Sequence, residues 1–388
     1  MTPAMTTART LTTSPWPGMG AVVATFIAAM TPAFAISALA TPIERALHLS
    51  GTGFGLALSG FFAMTALGSP VARRVAVRLP VPVLLALVCG TAALCLPLAT
   101  TGTAGLALAL LLAGAGNALT QPAAARYIAG RVPAQRLSLA TGLTGAALGA
   151  APMLPGLLAG QVAEPLGWRL TLLLAAGFPL LALAFTPLAR TQGHPVAASG
   201  EAAPLSRTLV LWTVGAALAT IGSNATASFF VQLGTGSGLS TTVAGTMLSL
   251  ASLLAVAVRL VAGVRADRAP QHNPLVVAAM MLSGALGLVL IALGTPVTFV
   301  LGAVLVVAGG WGWTGLLLSA VLRLLPGQAA RAGATVQIGL FGGAALAPFA
   351  FGALSSSVGT STAVLLAAGC ALAGALAVRV GAALTRVE

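Results

Sequence analysis

Apolar stretches of about twenty residues recur along the whole chain, separated by short polar segments. They lie at 20–42, 51–71, 80–100, 104–125, 137–160, 170–189, 208–232, 241–263, 274–294, 297–322, 332–356 and 360–378. A helix rises about 1.5 Å per residue, so each stretch is long enough to cross the roughly 30 Å apolar core of a bilayer. The pattern predicts an all-α membrane protein of twelve transmembrane helices. The polar stretch 190–207, with His194 and Glu201 among Gly, Pro and Ser, reads as a linker between two six-helix bundles at 20–189 and 208–378. Residues 1–19 and 379–388 read as polar tails. Ala38-Leu39-Ala40 resembles a cleavage site, but the stretch before it is long for a signal-peptide core, so it is expected to stay as the first helix.

Composition narrows the class. Of 388 residues, 58% are hydrophobic and 6% charged, and the mean hydropathy is +1.03. A soluble chain carries roughly a quarter charged residues, so lipid must be part of the solvent here. The net charge of +13 could suggest nucleic acid. The 18 basic residues, however, are all Arg, spread thinly between apolar stretches and not gathered on a face with aromatic partners. No nucleic-acid partner is expected. Their placement follows the rule that positive loops stay in the cytoplasm. With the N-terminus inside, fifteen arginines fall in cytoplasmic segments, Arg45 and Arg169 fall outside, and Arg259 falls within a span. Both termini are therefore expected in the cytoplasm, with the chain in a bacterial-type inner membrane. Cys89, Cys95 and Cys370 sit inside apolar stretches without metal or redox spacing. No metal and no cofactor are expected.

The second six stretches repeat the first. A shift of 195 carries Gly68 to Gly263, Arg73 to Arg268, Gly114 to Gly309 and Arg136 to Arg331. Such halves are parallel repeats about an axis along the membrane normal. The second copy of the loop motif reads Gly263-Val264-Arg265-Ala266-Asp267-Arg268, and the first reads Gly68-Ser69-Pro70-Val71-Ala72-Arg73-Arg74. Pro165-Leu166-Gly167-Trp168-Arg169 precedes span six, and Gly145, Gly149 and Pro152 lie in span five. These residues resemble the major facilitator superfamily over nearly the whole chain. The resemblance implies a monomeric transporter working by alternating access, with a small-molecule substrate and the lipid bilayer as its partners. It also implies a conformational latch from Gly68, Arg73, Gly263, Asp267 and Arg268. Ala72 stands where the family has an acid, which leaves the latch without its symmetric partner. The alternative for Asp267 is an ordinary loop carboxylate beside Arg265 or Arg268.

Arg259 is the most informative residue, because a charge within a span is expensive and usually functional. Gly245, Ser249, Ser252, Ala255, Arg259 and Gly263 share one helical stripe that is small and polar. Leu250, Leu253, Leu254 and Val261 lie off it. The stripe should face the protein interior or a water-filled cavity. Two roles are open to Arg259: binding an anionic substrate, or snorkelling to the interface. Its spacing to Gly263 and Asp267 is similar to the helix-eight arginine of the monocarboxylate and oxalate transporter branch, which implies a carboxylate partner. A planar guanidinium suits that role.

Other polar groups within spans are candidates. Asn117, Thr120 and Gln121 share a face, as do Asn224, Ser228 and Gln232, and Trp311, Trp313, Thr314 and Gln337 follow. The alternative for each amide is interhelical hydrogen bonding. The candidate substrate site is thus Arg259, Asn117, Gln121, Asn224, Ser252, Trp311 and Gln337, with Trp311 favoured over Trp313. The five acids, Glu44, Glu164, Glu201, Asp267 and Glu388, all fall outside the spans, as do His48, His194 and His272. No midplane acid is therefore available as a proton relay. The sequence reads as a secondary transporter of a small organic anion, not an enzyme. The alternative is efflux of apolar or cationic drug-like compounds.

Overall fold

The computed structural model describes residues 14–133, 136–191, 206–266, 272–324 and 329–384. Among them no strand occurs, and twelve helices are long and apolar enough to cross a membrane. They are α1 (Trp16–Ala38), α2 (Gly51–Arg78), α3 (Val81–Thr101), α4 (Thr103–Arg131), α5 (Leu139–Gln161), α6 (Ala163–Ala189), α7 (Arg207–Ser228), α8 (Thr241–Ala262), α9 (Asn273–Ala292), α10 (Pro296–Val321), α11 (Thr335–Val358) and α12 (Thr360–Leu384). The polar segment 192–205 and the latch residues Asp267 and Arg268 lie outside the described residues.

Local signals set the helix ends. Ser50 caps α2 by accepting from the Gly53 N–H at 3.1 Å, and Ser206 caps α7 through the Leu209 N–H at 3.1 Å. Thr295 and Thr298 form a reciprocal capping box at the start of α10. Hydropathy places the first helix at 20–42, but it runs from Trp16 to Ala38. The Pro15-Trp16-Pro17 entry starts it early, since proline favours the first helical turn and needs no N–H partner there. Leu39 then breaks the axis, and a short separate helix, Ala40–Leu47, follows. Span seven splits in the same way: α7 ends at Ser228, Phe229 is non-helical, and a second short helix runs Phe230–Gly236. Helix α2 continues past the apolar stretch to Arg78, because backbone hydrogen bonding does not stop where hydropathy does.

Large apolar side chains face outward, as lipid requires: Leu94 is 75% exposed and Ile338 72%. Small residues bring helices together. Two helix pairs join the first six helices to the second six: α2 lies against α11, and α5 against α8. A Cβ on Gly55 would stand 2.2 Å from the Pro348 carbonyl oxygen, and one on Gly352 would stand 2.2 Å from that of Gly51. On the other side, a Cβ on Gly245 would stand 2.6 Å from the Gly156 carbonyl oxygen. Side chains add hydrogen bonds. The Phe349 N–H donates to Ser59 Oγ at 2.9 Å, Gln161 Nε2 donates to Thr246 Oγ1 at 3.0 Å, and Ser37 Oγ donates to the Ser228 carbonyl. Phe54 and Phe351 both pack on Phe229. All these contacts gather toward the end of the bundle that carries Gly51, where the seam between the halves is shut. Toward the opposite end, which carries Arg78, the apposition loosens. Gly142 continues the α5 stripe that begins at Gly156 and Gly149, yet a Cβ there would meet nothing within 4 Å.

Candidate functional site

The stripe on α8 divides by function. Its side chains are turned inward: Ser249 is 5% exposed, whereas Leu250 is 61% exposed. Gly245 and Ser249 are consumed in contact with α5, and Ser249 Oγ donates to the Met153 carbonyl at 2.7 Å. One and two turns further on, the helices part. A small cavity opens there, lined by α5 (Leu148, Gly149, Pro152), α7 (Thr226, Ala227), Phe230, α8 (Leu248, Ala251, Ser252, Ala255) and α10 (Val306, Val307, Trp311). It therefore lies between the two halves. Its wall is apolar apart from two hydroxyls. Ser252 Oγ donates to the Leu248 carbonyl at 2.7 Å and Thr226 Oγ1 to that of Gly222 at 3.2 Å. Each is satisfied by its own helix and presents an acceptor lone pair to the cavity.

Arg259 lies next to this cavity, one turn past Ala255. Its Nη1 donates to the Gly145 carbonyl of α5 at 2.9 Å. Its Nη2 and Nε donate to the Trp311 carbonyl of α10 at 2.9 and 3.3 Å. The guanidinium carbon stands 5.7 Å from the centroid of the Trp311 ring, within cation–π range. One side chain thus spans both halves. Its three hydrogen bonds all end on two carbonyl dipoles, and no carboxylate among the described residues pairs with it.

Helix α10 is shaped to make this possible. Val306–Gly310 is a π-helical segment, and residues 311–313 form a turn before the helix resumes at Thr314. Such bulges reorient side chains and expose carbonyls, and they recur at functional sites. The break points the Trp311 carbonyl at Arg259. It also lets the indole N–H donate to the Ser223 carbonyl at 3.0 Å while the ring approaches Phe34 of α1, with centroids 6.4 Å apart. Trp313 turns the other way, into the packed core of the second half, where its N–H donates to the Gly310 carbonyl at 2.8 Å.

The structure gathers three of the seven candidate residues, Arg259, Ser252 and Trp311. It places the others apart from the cavity. Asn117 Nδ2 donates to Thr65 Oγ1 at 3.2 Å, tying α4 to α2. Asn224 Nδ2 donates to the Ala344 carbonyl at 2.9 Å, tying α7 to α11. Gln121 is exposed on α4 and Gln337 half-buried on α11, and neither lines the cavity. A shared polar face on a helix cannot say whether it meets a cavity or a neighbouring helix, and here Asn117 and Asn224 meet helices. Sequence reasoning missed the apolar lining, Pro152, Thr226, Phe230 and Val307 above all. Nothing in a hydrophobic residue's identity separates a cavity wall from a lipid-facing surface.

The latch residues are only partly described. Gly68 packs within the first half, where its Cβ position is 3.2 Å from the Ala118 Cβ, and Arg73 is exposed. Gly263 lies in the helix that continues α8. At this end of α2 the structure adds an arginine absent from the motif. Arg126 of α4 donates through Nη1 to the carbonyls of Ala76 and, at 2.6 Å, Leu79. These are carbonyls that the ending helix leaves without a partner.

Comparison with known proteins agrees with this architecture. In structure, the chain is similar to a bacterial homolog of the human lysosomal transporter Spinster in an inward-facing, unoccupied conformation (TM-score 0.71, 15% identity, 96% of each chain covered). It is similar also to a mutant of the nucleoside transporter NupG (TM-score 0.74, 14% identity, 94% of this chain and 99% of that one). A third likeness is to a POT family transporter in complex with 5-aminolevulinic acid (TM-score 0.77, 12% identity, 95% and 96%). At these identities the likeness concerns the fold. No curated protein matches by sequence. The sequence profile of the Major Facilitator Superfamily matches residues 21–330, most of the chain. With twelve spans, two halves meeting along α2–α11 and α5–α8, and a cavity between them, the chain belongs to the major facilitator superfamily.

Proposed function

We propose that this transporter moves a small organic anion across the inner membrane by alternating access, with Arg259 as the counter-charge of the substrate. The observation that carries the reading is the position of Arg259. It is a cation at the edge of an interhalf cavity, held by carbonyls and left without a carboxylate among the described residues. Carbonyl dipoles satisfy N–H groups but do not neutralise a charge, and an unneutralised charge within a span is costly. A carboxylate entering from the cavity supplies the missing charge, and its two oxygens match the planar guanidinium. The apolar wall accommodates the carbon skeleton of the substrate, and Trp311 covers it. The positive-inside pattern puts the Arg78 end in the cytoplasm, so the seam is shut on the outer side and the cavity faces inward. Opening the Gly51 end and closing the other completes the cycle, as two halves rock about the site.

Ligand-induced thermal shift on the purified protein tests this, with Arg259→Gln beside wild type and a panel of small carboxylates, inorganic anions, and cationic and neutral drugs. Stabilisation by carboxylates that disappears in the variant supports the reading. The largely apolar cavity wall favours a second one, efflux of apolar or cationic compounds. Stabilisation by drugs, equal in both proteins, establishes that alternative and leaves Arg259 a tie between α5, α8 and α10. Arg259→Ala is expected to abolish transport without loss of expression, and normal flux in that variant refutes the anion site.

A further inference from the structure

The shut end of the seam holds a carboxyl group for which the transport reading has no use. Glu44 projects from the short helix Ala40–Leu47, which connects α1 to α2 in the first half. Its Oε2 accepts a hydrogen bond from Gln232 Nε2 at 3.0 Å, and Gln232 belongs to the short helix Phe230–Gly236 of the second half. Its Oε1 is buried and has no hydrogen-bond partner. That oxygen points at the α2–α11 contact, 4.0 Å from the Cβ position of Gly51, which itself is 3.6 Å from Ser356 Oγ. A carboxylate oxygen with no donor, enclosed where two moving bodies meet, is an expensive arrangement.

We propose that Glu44 is a proton-binding site of the shut seam: the seam closes with Glu44 protonated and opens with Glu44 ionised. The proposal rests on the alternating-access reading above. Protonation puts a neutral carboxyl in the enclosure, and the proton resides on Oε1, because Oε2 is needed as the acceptor for Gln232. When the halves part, water reaches the group. The proton leaves to that water, and Gln232 is released from its partner. Burial raises the Glu44 carboxyl above its ordinary value, and the hydrogen bond from Gln232 offsets only part of this.

Among the described residues, nothing packed around Glu44 supplies a compensating cation. Helix α1, the short helix Phe230–Gly236 and α11 from Thr335 to Val358 carry no titratable side chain. On α2 the titratable groups are Arg73, Arg74 and Arg78, at least 22 residues past Gly51, or about 33 Å along the helix. On its own helix and at its end, Arg45 and His48 are both exposed to solvent. The sign follows. The shut state holds the proton more tightly than the open state, so shutting is favoured at low pH and lost as pH rises through the raised shut-state value. The proton enters and leaves at the same end of the molecule. The site therefore gates the seam in response to pH on that side and carries no charge across the membrane.

The test is a distance measurement on the full chain by pulsed electron paramagnetic resonance. Spin labels are placed at Ala46→Cys and Ser357→Cys, exposed positions in the two halves at the shut end, after Cys89→Ala, Cys95→Ala and Cys370→Ala. The expected result is two distance populations. Their shut-to-open ratio falls with rising pH by up to about tenfold per pH unit, the limit for one proton. In Glu44→Gln, which keeps an acceptor for Gln232 but cannot ionise, the shut population persists at every pH. Two populations whose ratio ignores pH in the wild-type chain overturn the proton site alone, and so does a pH response retained in Glu44→Gln. A single distance at every pH in both proteins overturns the rocking reading together with it. The wild-type titration decides the matter even if the variant fails to fold.

Discussion

Adding one methyl group at Gly55 is the sharpest way to ask whether the α2–α11 contact is a gate. The new Cβ would lie 2.2 Å from the Pro348 carbonyl oxygen, 2.8 Å from its carbon and 3.2 Å from the Phe349 Cα. All three atoms are backbone of the other half, so no rotamer change relieves the clash. Overpacking of this kind costs about 1–3 kcal/mol. The cost falls only on the state in which the halves touch, and the favourable helix propensity of alanine over glycine is gained in both states. Gly55→Ala should therefore lower the shut-to-open ratio by about 5- to 150-fold while leaving each half folded. The control is Gly114→Ala, whose Cβ would stand 2.2 Å from the Phe61 carbonyl oxygen within the first half. That variant should lose thermal stability in both states and leave the seam ratio unchanged. Distances between labels at positions 46 and 357, with thermal unfolding alongside, read both effects. A wild-type ratio in Gly55→Ala would refute the reasoning, because it would mean that the α2–α11 contact does not distinguish the two states.

Three further outcomes follow from the site and its surroundings. Asn224→Ala removes the hydrogen bond to the Ala344 carbonyl; it should cost about 0.6–1.5 kcal/mol in thermal or denaturant unfolding and leave the anion-induced shift intact. Arg126→Ala strips the Ala76 and Leu79 carbonyls of a charged donor and should destabilise the protein by about 1.5–3 kcal/mol in the same measurement, with ligand response retained. Trp311→Phe keeps an aromatic ring beside Arg259 but loses the donor to the Ser223 carbonyl; carboxylate affinity, titrated by thermal shift, should weaken a few-fold, whereas Trp311→Ala should weaken it further by removing the ring as well.

The resemblance drawn in the sequence to the major facilitator superfamily agrees with the family profile over 21–330. That profile is of the superfamily as a whole and not of the narrower branch that the Arg259 segment resembles. Several local readings needed adjustment for one reason: apolar length marks where lipid is, not where a helix bends or ends. Hence α1 begins at Trp16, α2 runs on to Arg78, and span seven breaks at Phe229. Glu44 shows the same limit from the other direction. Sequence places it between spans, as a loop acid, and only the meeting of the two short helices turns it into a half-buried carboxyl with one enclosed oxygen.

By itself the sequence determined what depends on transfer from water to lipid and on periodicity. That covers twelve crossings, the all-α class, and the inward-facing stripe of α8 that carries Ser252 and Arg259. These are additive properties of neighbouring residues and need no knowledge of distant ones. The tertiary structure alone decided which inward faces meet each other and which meet a void. It sent Asn117 to Thr65 and Asn224 to Ala344, left Ser252 and Trp311 on a cavity, and laid Arg259 across both halves. The reason is physical: in a bundle of helices with nearly uniform apolar composition, small residues and carbonyls recur on many faces, and only the packing of distant segments selects among them.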